Sequence, residues 1–246
     1  MPKRIQHLDR YLSDWPFVPG QVMVREVKGS DKRPLLQLRV DMGIVQMEVV
    51  GRPDGEKPEG FDTYYDNLLS QSFADGPAFQ LDRERCREID REFYQYYHRR
   101  VCWLTLNRYA EAVRDAEHTL ALMDFSTANS PDPQWSLMHE QYRPFVMFHK
   151  IQALTLIQLE KSNHRGAVEA IDQGIASMQK LFEAHAAEDV SDEDTLLEKL
   201  QDMKASIAKH YDVGPSLAEQ LAQAIASEQY ELAAKLRDRM DGSPKN

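Results

Sequence analysis

The stretch from Asp82 to Leu104, DRERCREIDREFYQYYHRRVCWL, decides the fold. Its residues Cys86, Ile89, Phe93, Tyr96, Tyr97, Val101 and Leu104 recur at three-to-four spacing, the stripe of an amphipathic helix, and Asp82 is placed to cap its start. Leu106-Asn107-Arg108-Tyr109 breaks the pattern, and Ala112, Val113, Ala116, Leu120 and Met123 form a second stripe. The two segments read as a helix pair. Ser126 to Pro133 reads as a linker to a second pair: Pro144 to Glu160, with Phe145, Phe148, Ile151, Leu154 and Leu159, then Arg165 to Phe182, with Ala167, Val168, Ile171, Ile175 and Met178. A further helix is signalled by Ser191, an N-cap residue before Asp192, Glu193 and Asp194. It buries Leu196, Leu197, Leu200, Met203 and Ile207. His185 to Val190 is the expected linker ahead of it, and Tyr211-Asp212-Val213-Gly214-Pro215 the expected stop, with Gly and Pro in the helix-ending places.

Upstream of residue 80 the composition changes. Seven of the eleven glycines and seven of the twelve prolines fall in the first 77 residues, which disfavours long helices and favours short strands. Val22 and Val24 alternate with Met23 and Arg25, Lys28 to Pro34 supplies a loop, Leu36, Leu38 and Val40 alternate again, and Ile44 to Val50 is strand-like. The expected product is a three-stranded antiparallel meander. Phe61 to Gln71 is expected to form a short helix with Tyr64, Leu68 and Leu69 inward. Three strands with one apolar face need a cover, so the meander should pack on helices.

The chain has 246 residues, room for one or two domains, with 40 acidic against 30 basic side chains and a net charge of −10. That balance argues against general nucleic-acid binding or attachment to an anionic membrane. Two cysteines, Cys86 and Cys102, exclude a disulfide scaffold and a four-thiolate zinc site. On one helix they stand ~24 Å apart, beyond disulfide reach. The segment from Met1 to Asp14 has no apolar signal region and no long apolar run occurs, so a cytoplasmic location is expected, without membrane contact.

At the C-terminal end, Ser216-Leu217-Ala218-Glu219 is a capping box, opening a short helix with Leu217, Leu221, Ala224 and Ile225. After Ser227-Glu228-Gln229 a second helix carries Tyr230-Glu231-Leu232-Ala233-Ala234-Lys235-Leu236-Arg237-Asp238 and Met240. Burial of Leu217, Leu221, Ile225, Tyr230 and Leu236 at ~1.5–3 kcal/mol each does not offset ~1.5 kcal/mol of ordering per residue, so this hairpin must pack on its own body, as the last helix pair of the helical domain, on a copy of itself or on a partner. Ala233-Ala234 offers a flat strip for close helix approach, and Arg237 and Asp238 can pair across a two-fold or toward a partner. The string resembles the UVR motif, the helical hairpin through which the repair proteins UvrB and UvrC contact each other. Tyr230 stands where phenylalanine is commoner. The resemblance implies protein binding through Leu217, Leu221, Ala224, Ile225, Glu228, Tyr230, Glu231, Ala233, Ala234, Leu236, Arg237 and Asp238, with a partner or in a homodimer. DNA contact is not implied: the hairpin is locally acidic, and the motif also occurs in cytosolic regulators of Clp proteases and arginine kinases.

Leu106 to Ala112, with Ala116, Tyr96 and Trp103, resembles a tetratricopeptide repeat. Residues 145 to 182 resemble a degenerate second copy, with Ala167 in the small position but a longer turn, Glu160 to Gly166, and no aromatic pair. The alternative is two generic helical hairpins. No phosphate loop, dinucleotide fingerprint, nucleophile elbow or His-Glu-x-x-His occurs. His139-Glu140 with His149 is a poor ligand set. His98-Arg99-Arg100 reads as a solvated helix face sooner than an anion site, and Tyr94, Tyr96, Tyr97 and Trp103 as core sooner than a groove. The acidic run from Glu188 to Asp194 reads as a solvated helix start. No catalytic residue, cofactor or metal is expected. The whole reads as α+β, mainly α: a three-stranded antiparallel meander with a short helix (1–80), a repeat-like αα-hairpin body (81–213) and a UVR helical hairpin (214–246). The expected function is a non-enzymatic protein-protein interaction or adaptor role, with a DNA-repair accessory that binds UvrB-like partners or DNA as the alternative.

Overall fold

The structure, a computed structural model, describes residues 7–184 and 191–240. Two compact units divide the chain, Met1–Glu140 and Gln141–Asn246. The composition changes near residues 80 and 214 fall inside these units.

In the first unit a short helix α1 (Asp9–Ser13) precedes the strands β1 (Met23–Lys28), β2 (Pro34–Val40) and β3 (Gly43–Glu48). They form an antiparallel sheet in the order β1-β2-β3, the expected meander, with Leu35, Leu36, Leu38 and Met47 buried. The next helix, α2 (Tyr64–Asp75), starts and ends later than the expected Phe61 to Gln71. Thr63 caps it by accepting from the Asp66 amide. Tyr64 and Leu68 are buried as expected, whereas Leu69 is only half-buried.

The deciding stretch is α3 (Arg83–Thr105), with Asp82 accepting from the Glu84 and Arg85 amides, and it pairs with α4 (Tyr109–Asn129). Glu92, fully buried on α3, accepts from the Tyr64 and Tyr65 amides at 2.7 and 3.1 Å and contacts His118 Nε2 at 2.9 Å. An anion at the positive end of α2 thus locks that helix to the pair. Arg99 and Arg100, expected on a solvated face, are instead buried. Arg99 donates to both carboxylate oxygens of Asp115 at 2.7 and 2.9 Å and to the carbonyls of Glu48 and Gly51, which ties α3 to the meander. Of the aromatic cluster, Tyr96 and Trp103 are core; Tyr94 and Tyr97 are exposed.

The expected linker from Ser126 to Pro133 is a correction: α4 runs to Asn129 and α5 (Pro133–Glu140) follows. Proline at a first helical position starts a helix, and Asp132 accepts from the Gln134 amide. Asp90 Oδ1 holds α5 through Trp135 Nε1 at 3.0 Å and His139 Nε2 at 2.8 Å.

The second unit contains α6 (Arg143–Glu160), α7 (His164–Ala184), α8 (Ser191–Tyr211), α9 (Leu217–Ala226) and α10 (Tyr230–Met240). Ile151, Ala167, Val168, Ile171, Met178, Leu200 and Ile207 form its larger core. The expected linker His185 to Val190 and the side chains of residues 191 to 194, with the Ser191 cap, lie outside the described residues. Four helices end the same way. Asn107, Ser162, Asp212 and Glu228 take left-handed φ of 50–58° after α3, α6, α8 and α9. The next amide in each case bonds back to the carbonyl five residues earlier, the Schellman closure. For α8 the stop is therefore Asp212, not Gly214. The turn after α6 is also shorter than expected, because Arg165 and Gly166 already belong to α7. Leu106–Arg108 and Lys161–Asn163 are equal three-residue turns.

Candidate functional site: the C-terminal hairpin

Helices α9 and α10 are joined by a third such turn, Ser227–Gln229. Ser216 Oγ accepts from the Glu219 amide at 3.2 Å, and Glu219 accepts from the Ser216 amide at 2.8 Å, so the expected capping box is formed. Inside the hairpin Ala224, Ala233 and Leu236 are buried, with Leu217 and Leu221 packed against them. The small side chains at 224 and 233 bring the two helices together. Ala233 thus serves the hairpin itself, and only Ala234 of the expected alanine strip is exposed.

Two of the five large apolar residues expected to be buried point to solvent. Ile225 is 54% and Tyr230 66% exposed, on either side of the turn. Leu232 and Met240, which sequence reasoning left out of the candidate set, are exposed too. Glu228, Glu231 and Arg237 are exposed, and Asp238 is half-buried. Tyr230, Ala234 and Arg237 stand at i, i+4 and i+7, one face of α10. Arg237 makes no ion pair or hydrogen bond among the described residues. Its guanidinium is free to meet a carboxylate from outside.

The hairpin is anchored from α8. Lys204 Nζ reaches Asp172 Oδ1 at 2.5 Å and Glu219 Oε1 at 2.8 Å. Burial disfavours the Lys204 charge, but the bonds to Asp172 and Glu219 outweigh it and push its pKa up. The hydrogen bond from Lys204, then that from the Ser216 amide, hold the Glu219 carboxyl below its ordinary value. A depressed folded-state pKa stabilises above the unfolded value, near ~4.3, and that contribution is lost as pH falls through the folded value. Acidification is therefore expected to reduce amide-exchange protection in α9. Glu219→Gln keeps the capping box but breaks the ion pair; it should cost below ~1 kcal/mol, since Glu219 is half exposed, and flatten the pH dependence relative to wild type. Equal acid slopes in the two proteins would contradict this anchoring.

Among the described residues no group of three or more His, Cys, Asp or Glu side chains is placed to hold a metal ion. His139 is occupied by Asp90, and burial, the largest influence, draws its pKa down. Both cysteines are free; burial pushes Cys102 up to about 12 and raises Cys86 less, so neither is an activated thiolate. No described helix is long and apolar enough to cross a membrane.

Residues 215–241, which span α9 and α10, match the family model described as the UvrB/uvrC motif. The match falls within the expected UVR hairpin, 214–246. No curated protein and no solved structure gives a significant match to the chain.

Proposed function

We propose that this chain is a non-enzymatic interaction or adaptor protein of the bacterial cytoplasm that docks a partner, or pairs with a second copy of itself, through the C-terminal hairpin. The observation that carries this reading is the exposure of Ile225 and Tyr230 within the matched motif, although the hairpin already has an inward stripe. Exposed apolar anchors beside a free arginine are the composition of an interface core. In this reading the meander module (1–80) and a repeat-like helical body (81–213) carry the docking hairpin (214–246). The equal turns of the two helix pairs, and the buried Ala112, Ala116 and Ala167 near them, support a repeat of the tetratricopeptide kind.

A second reading, a DNA-repair accessory that binds a UvrB-like partner, draws on the same motif match and uses the same face. Its DNA-binding form is opposed by the net charge of −10. The test is light scattering and pull-down with the full-length Tyr230→Ala, Arg237→Glu variant beside wild type. Loss of the dimer or of captured partners is expected. Unchanged oligomeric state together with unchanged partners would overturn the docking role.

A further inference from the structure

Helix α5 buries little of itself, and its ties to α3 converge on one imidazole. Of its eight residues only Ser136 is buried, and the Ser136 hydroxyl bonds nothing among the described residues. A buried hydroxyl without a partner costs free energy, so the one side chain that the helix buries opposes docking. Leu137 and Met138 are exposed. Polar bonds tie the helix down instead. Trp135 Nε1 and His139 Nε2 both donate to Asp90 Oδ1 on α3, at 3.0 and 2.8 Å, and Thr127 Oγ1 on α4 donates to Glu140 Oε1 at 2.8 Å. The Phe93 ring of α3 stacks on the His139 ring with centroids 4.2 Å apart, and Trp135 meets that ring edge-on at 5.1 Å. The His139 side chain, 15% exposed, is thus enclosed between α3 and the indole of its own helix.

That place suits the neutral ring. Facing a carboxylate, Nε2 carries the one proton of the neutral imidazole and donates it, so a second proton goes to Nδ1. Nδ1 has no hydrogen-bond partner among the described residues, and the added N–H would be left without an acceptor where little water reaches it. Burial accordingly outweighs the pull of Asp90 and draws the His139 pKa below its ordinary value. The charged groups that face the ring are Asp90 from α3 and Glu140 from α5 itself. Cys86, one turn before Asp90, is kept protonated because burial raises its pKa, and Thr127 on the α4 side is uncharged. Among these kinds of group, the imidazole is the one that ordinarily changes charge in mild acid.

We propose that α5 is a pH-sensitive latch: with His139 neutral it stays docked on Phe93 and Asp90 of α3, and protonation of His139 promotes its release. The docked pKa lies below that of a free imidazole, ~6.5, so docking has its full strength above that pH and weakens as pH falls from there toward the docked value. Release bares the buried Phe93 and frees the Trp135 indole from Asp90.

The test is amide hydrogen exchange of the full chain at about pH 7.5 and about pH 5.5, corrected for the pH dependence of exchange in an unfolded chain, beside an NMR titration of His139. Protection of α5 should fall about threefold or more at the lower pH while α3 and α4 keep theirs, and the His139 ring should titrate below ~6.5. His139→Gln keeps a side-chain N–H for Asp90 but has no titrating ring, so its α5 should be equally protected at both pH values. Equal protection of wild-type α5 at both pH values, or an equal loss across α3, α4 and α5, would overturn the proposal. So would a His139 midpoint at or above that of a free imidazole, or an acid loss that persists in His139→Gln. None of these outcomes depends on the hairpin.

Discussion

Replacing Asp115 by alanine is expected to lower the unfolding free energy by about 3–5 kcal/mol, the usual consequence of removing one partner from a buried ion pair. Asp115 is fully buried on α4 and accepts from Arg99 Nε and Nη2 and from Trp103 Nε1, the last at 3.1 Å. Its backbone carbonyl accepts from Thr119 Oγ1, which in turn accepts from Arg100 at 2.9 Å. Arg100 is buried as well, and burial pulls its pKa down to about 10, so it stays protonated at neutral pH. Alanine at 115 leaves two buried guanidinium groups without the carboxylate that faces them. Since Arg99 also holds the carbonyls of Glu48 and Gly51, the meander should loosen along with the helix pair. The shift in the urea midpoint reads the cost, and exchange of amides in β2 and β3 reads the coupling. A loss under ~1 kcal/mol would show that the pair is not a keystone of the first unit.

The second large effect is expected at Gly174, inside α7. A Cβ built there would stand 2.5–2.7 Å from three side-chain atoms of Ile151 on α6. Ile151 belongs to the core of the second unit, and a β-branched side chain on a helix has nearly one available rotamer, so it cannot swing aside. Gly174→Ala gains ~1 kcal/mol in helix propensity, yet overpacking of a filled core costs ~1–3 kcal/mol or more. Net destabilisation of about 1–2 kcal/mol is expected. In the Ile151→Ala background, itself ~2–5 kcal/mol less stable, the same substitution should reverse sign and stabilise. A double-mutant cycle measures this directly, and additive effects would contradict the close approach of α6 and α7 at this point.

Periodicity made most of the framework legible before any coordinates. The strands around Val24, Leu36 and Val45 and the helices around Phe93, Ala116, Ile151 and Ile171 follow apolar spacing, which burial enforces. Three things escaped it. Helix α5 was hidden because Pro131 and Pro133 read as breakers, whereas Pro133 occupies the first helical position, where a missing amide costs nothing. Arg99 and Arg100 sit on the inward face of α3 and satisfy their charges through α4 and the meander, partners that lie 16 to 51 residues away in the chain. Local reading has no access to such pairs. At the hairpin, spacing identified apolar positions but not which way they face. Two helices bury a single stripe between them, taken by Ala224, Ala233 and Leu236, so Ile225 and Tyr230 remain outside.

That outward pair defines the docking claim, and the most direct measurement is site-specific photo-crosslinking in cells with a benzophenone side chain at position 230. A discrete adduct is expected, with another protein or a second copy of the chain, that is absent when the same group replaces exposed Phe73 on α2 and is lost when Arg237→Glu is added. No adduct at position 230 above the level at position 73 would contradict it.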